Sequence, residues 1–210
     1  MTDEQAAREQ LIDVARQISA KQLTHGRTGN VSVRVDDGIL VTPTGSSLAT
    51  ITAAELSVID ERGRHVRGPK PSKEAFLHAE VMRARPDVGA VIHTHSTYCV
   101  AFACRADVNP EDVIPPLTAY YCMRVGRLPL LSYHAPGDPS LAPLVAATAK
   151  DHPAFLLANH GPVVAGANLG SALDAVEELE ATAKVALLLE NLPTRPLTEA
   201  QRADLARRGR

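Results

Sequence analysis

At 210 residues, 45% hydrophobic and 22% charged, the chain has the size and composition of one ordinary globular domain, long enough to bury a full core. A net charge of -2 leaves no global basic field for nucleic acid, and 3% aromatics with no Trp offer little to stack on bases. Cys99, Cys104 and Cys122 are odd in number and none sits in a Cys-x-x-Cys pair, which argues against a disulfide framework and fits a reducing, cytoplasmic setting; the acidic, polar Met1–Gln5 has no signal-peptide pattern, and no apolar run approaches a membrane span.

Thr2-Asp3-Glu4-Gln5 has capping-box spacing, and Leu11, Val14, Ala15 and Ile18 recur at helical spacing, so the first helix is expected to run to about Gln22. After the loop His25-Gly26-Arg27-Thr28-Gly29-Asn30, Val31 to Val35 alternates with period two. Asp37-Gly38 is a hairpin turn and Ile39-Leu40-Val41 its returning strand. Thr42 to Ser47 is a polar loop. Thr52 to Glu55 repeats the capping-box spacing, and a strand over Leu56–Asp60 ends at Glu61-Arg62-Gly63. The loop Gly68 to Lys73 opens a helix from Glu74 to about Arg85. Val88 to Ile92 is an apolar, β-branched strand that delivers His93-Thr94-His95 at its end.

Pro110, Pro115 and Pro116 break the middle of the chain. Leu128 to Leu131 is a short strand, Pro139 to Lys150 a helix, Ala154 to Ala158 a strand ending at Asn159-His160-Gly161, and Pro162 to Ala165 its partner. Asn168 caps a last long helix to about Glu190, with Ala172, Val176, Leu179, Ala183 and Leu187 on one face, and the tail after Pro193 is polar. There is no repeat, linker or regular βαβ alternation. A single α/β sandwich over residues 1–210, with a mixed or largely antiparallel sheet, is the expected class.

His93 and His95, two apart in an extended segment, place both rings on one face of a strand, which suits two ligands of one ion. The same spacing also describes one structural and one exposed histidine. His160 is carried by an apolar strand to a Gly-Pro break, where site residues and ordinary turn histidines both occur. Three neutral imidazoles suit zinc and similar ions and leave a coordination position open. Glu74 at its helix start is either an acid favoured by the helix dipole or a metal-proximal acid/base. The loops Thr28-Gly29-Asn30, Thr44-Gly45-Ser46 and Ser72-Lys73 pair hydroxyl or amide groups with free backbone N–H groups, a combination that binds a phosphate monoester and that turns also use.

Taken in order, Thr28-Gly29-Asn30-Val31-Ser32, Thr42-Pro43-Thr44-Gly45, Pro71-Ser72-Lys73-Glu74, His93-Thr94-His95-Ser96 and Ala158-Asn159-His160-Gly161 make the sequence resemble the class II aldolase/adducin family over nearly its whole length. The resemblance implies a three-layer α/β/α sandwich with a central mixed, largely antiparallel sheet. It implies one divalent ion per subunit, Zn2+ first and Mn2+ or Co2+ as alternatives, on His93, His95 and His160, with Glu74 beside it as ligand of the empty site and as acid/base. It implies substrate phosphate among Asn30, Thr44, Gly45, Ser72 and Lys73, and a homotetramer with interfacial active sites.

Within the family, the run from Pro115 to Gly126, Tyr133 to Pro139, and Glu177 to Lys184 are similar to the 3-oxo-tetronate 4-phosphate decarboxylase branch. Ala119 and His134 depart from its usual Pro and Arg, which touches fine substrate choice more than chemistry. Tyr120 matches the branch's tyrosine and is its candidate proton donor. The implied reaction is loss of carbon dioxide from 3-oxo-tetronate 4-phosphate through a metal-stabilised enediolate, giving dihydroxyacetone phosphate. Retro-aldol cleavage of a fuculose-phosphate type substrate, epimerase chemistry and a non-catalytic adducin-like module are the rivals. His78, four residues after Glu74 on the same helix face, is the unassigned histidine best placed to approach the site.

Overall fold

The computed structural model describes residues 3–208, so Thr2 of the first capping box lies outside the described residues. The chain builds α1 (Asp3–Ala20), β1 (Asn30–Val35), β2 (Gly38–Val41), β3 (Ser57–Ile59), β4 (His65–Arg67), α2 (Ala75–Ala84), β5 (Ala90–His93), α3 (Thr97–Ala103), α4 (Ala119–Arg124), β6 (Leu130–Leu131), α5 (Ala142–Ala149), β7 (Ala154–Leu157), β8 (Gly161–Gly166), α6 (Leu169–Leu188) and α7 (Glu199–Arg208). Single 3-10 turns at Ala53–Glu55 and Pro139–Leu141 lead into β3 and α5.

All eight strands share one sheet in the order β4-β3-β2-β1-β5-β8-β7-β6. Every pairing is antiparallel except β6 with β7 at one edge, so the sheet is mixed and largely antiparallel as expected. Alternation along the strands divides the core into two layers. Val31, Leu40, Ala90, Ile92, Leu156 and Val164 face a layer formed by α1, α3, α4 and α6. Ile39, Val91, Phe155, Leu157 and Val163 face α2 and α5. This is an α/β/α sandwich, with β5 in its middle.

The elements that carry an apolar period lie where the sequence puts them. Asn168 caps α6 by accepting from Ser171 N at 2.9 Å. The Glu55 carboxylate accepts from Thr52 N at 2.8 Å, which closes the expected turn. Four elements go beyond the sequence expectations, each for a physical reason. β4 is an exposed edge strand with no hydrophobic alternation. The first turn of α3 is capped from a distance: Glu180 on α6 accepts from Tyr98 N at 2.9 Å and Cys99 N at 3.0 Å. α4 is short and capped by Thr118, which accepts from Tyr121 N at 3.2 Å. The polar tail forms α7, which buries no residue completely and is held by Arg202, bonded to Asp112 at 2.8 Å and to Gly126 O at 3.2 Å.

Phe155, 1% exposed on β7, fills the layer under α5. Phe155→Ala is expected to cost about 3–5 kcal/mol by removing buried contact and leaving a cavity. Val66→Ala, at a position 54% exposed, is expected to stay within about 0.5 kcal/mol. Thermal unfolding of the two variants beside the wild type checks the pair.

Candidate active site

The antiparallel register of the central strands assembles the site. On one flank of β5, Asn30 stands opposite His93 and Ser32 opposite Val91; on the other, His93 stands opposite Val163. His93, Asn30 and Ser32 therefore share the face covered by α2. β5 ends at His93, so His95 arrives beyond the strand rather than by strand alternation. His160 comes from the turn between β7 and β8. There Asn159 takes a left-handed φ of 56°, which asparagine tolerates better than most residues. Gly161 lies against β5's continuation so closely that a Cβ would stand 2.3 Å from Thr94 O, which only glycine avoids.

The outcome is a near-equilateral triangle of imidazole nitrogens. The Nε2 atoms of His93, His95 and His160 are 3.2, 3.3 and 3.1 Å apart. His93 Nδ1 lies 2.8 Å from Pro162 O; a carbonyl only accepts, so Nδ1 carries the proton and Nε2 presents a lone pair. Burial, and then the neighbouring rings, push His95 down to about 3 and His160 to about 4, which keeps both rings neutral. Desolvated lone pairs facing one another at this range repel unless a cation stands among them. In a tetrahedral site with metal–nitrogen bonds of about 2.0–2.1 Å, ligand nitrogens are about 3.3–3.4 Å apart. The donor set fits a metal ion on both spacing and protonation state, and these three residues are the described group that could hold one.

Glu74 immediately precedes α2, whose N-terminus favours a negative charge there. It is 6% exposed and stands 3.4 Å from His160 Nε2 and 3.6 Å from His93 Nε2. Burial raises its carboxyl and a 2.8 Å hydrogen bond from Asn30 Nδ2 lowers it; the net direction is below the usual range.

Backbone bonds draw the three polar loops together. Thr44 N donates to Lys70 O and Ser72 N to Thr42 O, each at 3.1 Å, and Val31 N donates to Thr42 Oγ1 at 3.2 Å. Thr44, Gly45, Ser72, Lys73, Asn30, Glu74, His95 and His160 thereby line one cavity of about 620 Å³. The stem of Lys73 lies across Gly137, 3.2 Å from where a Cβ would be.

Residues 9–187 match the model of the Class II Aldolase and Adducin N-terminal domain. The chain belongs to the class II aldolase and adducin family. It is 43% identical to a 3-oxo-tetronate 4-phosphate decarboxylase of Haemophilus influenzae, over 100% of both chains. It is 34% identical to an L-fuculose phosphate aldolase of the same organism, over 83% of this chain and 79% of that one. The crystal structure of YgbL from Klebsiella pneumoniae superposes with a TM-score of 0.93 at 39% identity, covering 98% of this chain and 100% of that one.

One expected residue of this class II aldolase site stands apart. Tyr120, on α4, is 60% exposed, lies over Arg124 at 5.7 Å, and does not line the cavity. Within a single chain it is no part of the site, because the turn of α4 that buries Tyr121 sends its neighbour outward. Other residues reach the site without an assigned role. His25, Arg27, Tyr133, His134 and Asn159 line the cavity, with the His25 ring 6.3 Å from that of His95. His78 is fully buried behind Asn30, bonded to it and to Ser32, and its place was signalled only by its spacing from Glu74. No described helix is long and apolar enough to cross a membrane.

His93→Ala is expected to abolish metal retention while the fold survives. Metal analysis after gel filtration, with circular dichroism alongside, checks it; full metal occupancy with retained activity would show that the ion sits elsewhere. A second expectation concerns acid. His78 is pushed by burial down to about 3 from 6.5, so between those values the unfolded chain binds a proton that the folded chain refuses. Stability from this group is complete above pH 6.5 and falls with pH, by about 1.4 kcal/mol per unit inside the window. Unfolding midpoints of wild type and His78→Gln between pH 6.5 and 5 are expected to converge.

Proposed function

We propose that this chain is a metal-dependent carboxy-lyase that converts 3-oxo-tetronate 4-phosphate to dihydroxyacetone phosphate and carbon dioxide. The observation that carries the reading is the imidazole triangle and its adjacent carboxylate at the edge of a cavity lined by polar loops, in a chain alike end to end with a decarboxylase of that name. The likeness to an L-fuculose phosphate aldolase is weaker and shorter.

His93, His95 and His160 would hold the ion, with Zn2+ the first choice for three neutral imidazoles and Mn2+ or Co2+ as alternatives. When bound, the ion supplies Lewis-acid polarisation of the substrate ketone and offsets the charge of the enediolate. The Thr44 hydroxyl, the backbone N–H of Gly45, the side chains of Asn30 and Ser72, and the Lys73 ammonium hold the 4-phosphate and fix the substrate's direction in the cavity. The C1–C2 bond breaks with its electron pair moving toward C3, and carbon dioxide leaves. C2 then takes a proton. Glu74, beside the triad, passes one from solvent to C2; cleavage needs no base to begin, so Glu74 serves the second half of the reaction.

Tyr120 is the alternative proton donor, and its place on an exposed face means that it serves a site only from another subunit. That fits the homotetramer with interfacial sites implied by the family resemblance, with residues 1–210 acting as one domain. The ordinary setting for such metabolism is cytoplasmic.

The purified protein incubated with 3-oxo-tetronate 4-phosphate is expected to release carbon dioxide and dihydroxyacetone phosphate in equal amounts, and to lose the activity on exhaustive chelation. With fuculose 1-phosphate, turnover is expected to be at least tenfold lower. An aldehyde product without carbon dioxide would move the chain to the aldolase reading, and a protein that retains no divalent ion would favour the adducin-like module.

A further inference from the structure

Four buried side chains form one line from the sheet to the metal site. Ser32 and His78 are 0% exposed, Asn30 5% and Glu74 6%. Ser32 and Asn30 are alternate residues of β1 on the face toward α2, while His78 stands one helical turn after Glu74 and points back at them. Ser32 Oγ lies 2.7 Å from His78 Nδ1, His78 Nε2 is bonded to Asn30 Oδ1, and Asn30 Nδ2 lies 2.8 Å from Glu74 Oε2.

The ionised Glu74 sets the direction of this line, although the Val91 backbone also lies within reach of the ring. The Glu74 carboxylate only accepts, so Asn30 turns its amide N–H toward it. That leaves the Asn30 carbonyl facing the ring, so His78 Nε2 carries the hydrogen. Nδ1 is then bare and accepts from the Ser32 hydroxyl. All the donors point toward Glu74. If Asn30 were flipped, its carbonyl would face the Glu74 carboxylate, two acceptors in repulsion at a buried contact.

We propose that His78 is a positioning residue of the reaction: acting through Asn30, and polarised by Ser32, it fixes the height and rotation of the Glu74 carboxylate beside the metal triad. This rests on the role given to Glu74 above. A buried histidine with no such task is an expensive choice for α2, whose other buried residues, Ala75, Leu77, Ala79, Val81 and Met82, are apolar. Met82, one turn further on, shows the kind of side chain that fills the layer without a polar cost. Removing an outer partner of this kind typically costs 10–100-fold in activity or metal affinity.

The test is a double-mutant cycle with a conservative control. His78→Met is expected to lower kcat by about tenfold or more, with KM within about twofold and metal content unchanged. His78→Gln, whose amide N–H can still donate to Asn30, is expected to recover most of kcat. In a Glu74→Gln background, measured on the residual turnover of that variant, His78→Met is expected to bring almost no further loss, because the residue it positions has been changed. An equal fold-loss with and without Glu74, a loss confined to KM, or no recovery in His78→Gln would each overturn the proposal and leave His78 a packing residue. A readout free of turnover accompanies it: 15N NMR of histidine-labelled protein, with His78→Gln to assign the ring. A proton on Nε2 and none on Nδ1 supports the line as drawn; a proton on Nδ1 reverses it and overturns the proposal, even if His78→Met fails to fold. A wild type that releases no carbon dioxide would sink the decarboxylase reading instead, and the NMR result would still decide the direction of the line.

Discussion

Three imidazole nitrogens turned toward one another within 3.3 Å, where lone pairs repel, set the terms for everything around them. Packing alone would drive such rings apart, so the surrounding structure has to hold them against that repulsion until a cation relieves it. The central place of β5 does this. Its last residue, His93, is flanked by β1 and β8 and tied by Nδ1 to Pro162 O, so neither its height nor its rotation is free. His95 and His160 then converge on a fixed point, and the close approach of Gly161 to Thr94 sets the spacing of the turn that carries His160.

The carboxylate beside the triangle has the opposite problem. A buried anion is costlier still, and Glu74 is supported by the helix start behind it and the Asn30 amide at its side. These supports come from α2 and β1, so the acid can hold its place only if sheet and helix layer are docked in register. The same docking brings the Thr44, Ser72 and Asn30 loops to one wall of the cavity, because their bonds lie where β1 begins and β2 ends. Metal group, acid and polar loops are thus consequences of one sheet register.

Much of this was legible in the chain. Apolar periods marked α1, β1, β2, α2, β5 and α6, and the order of short motifs drew His93, His95, His160 and Glu74 together when no single spacing sufficed. What escaped is what depends on distant partners. α3 takes its cap from Glu180, and α7 is tied down by Arg202 and Asp112, so local patterning is silent on both. Tyr120 and Tyr121 are adjacent in the chain and equivalent by composition; only the docking of α4 shows that Tyr121 is buried and Tyr120 exposed. His78 could be placed on the face of Glu74 by counting, but its bond to Asn30 requires knowing that β1 passes beneath α2.

The outer ring of the cavity bears on which reaction the shared centre performs. A metal triad and a carboxylate serve cleavage of a carbon–carbon bond whether the departing fragment is carbon dioxide or an aldehyde, so the centre alone does not choose. Charge distinguishes the substrates. An aldol substrate of the fuculose phosphate kind carries one anionic group, whereas a 3-oxo acid phosphate carries a carboxylate as well. Among the described residues that line the cavity, Glu74 is the sole acid, while Arg27 and Lys73 bring fixed positive charge and His25 and His134 add polar ring nitrogens. Fixed positive charge beside the polar loops, with a single acid in the whole lining, suits a ligand that carries more than one negative group. It also disfavours release of the carboxylate into water before the bond breaks, since partly desolvated attractions are far less screened than exposed ones.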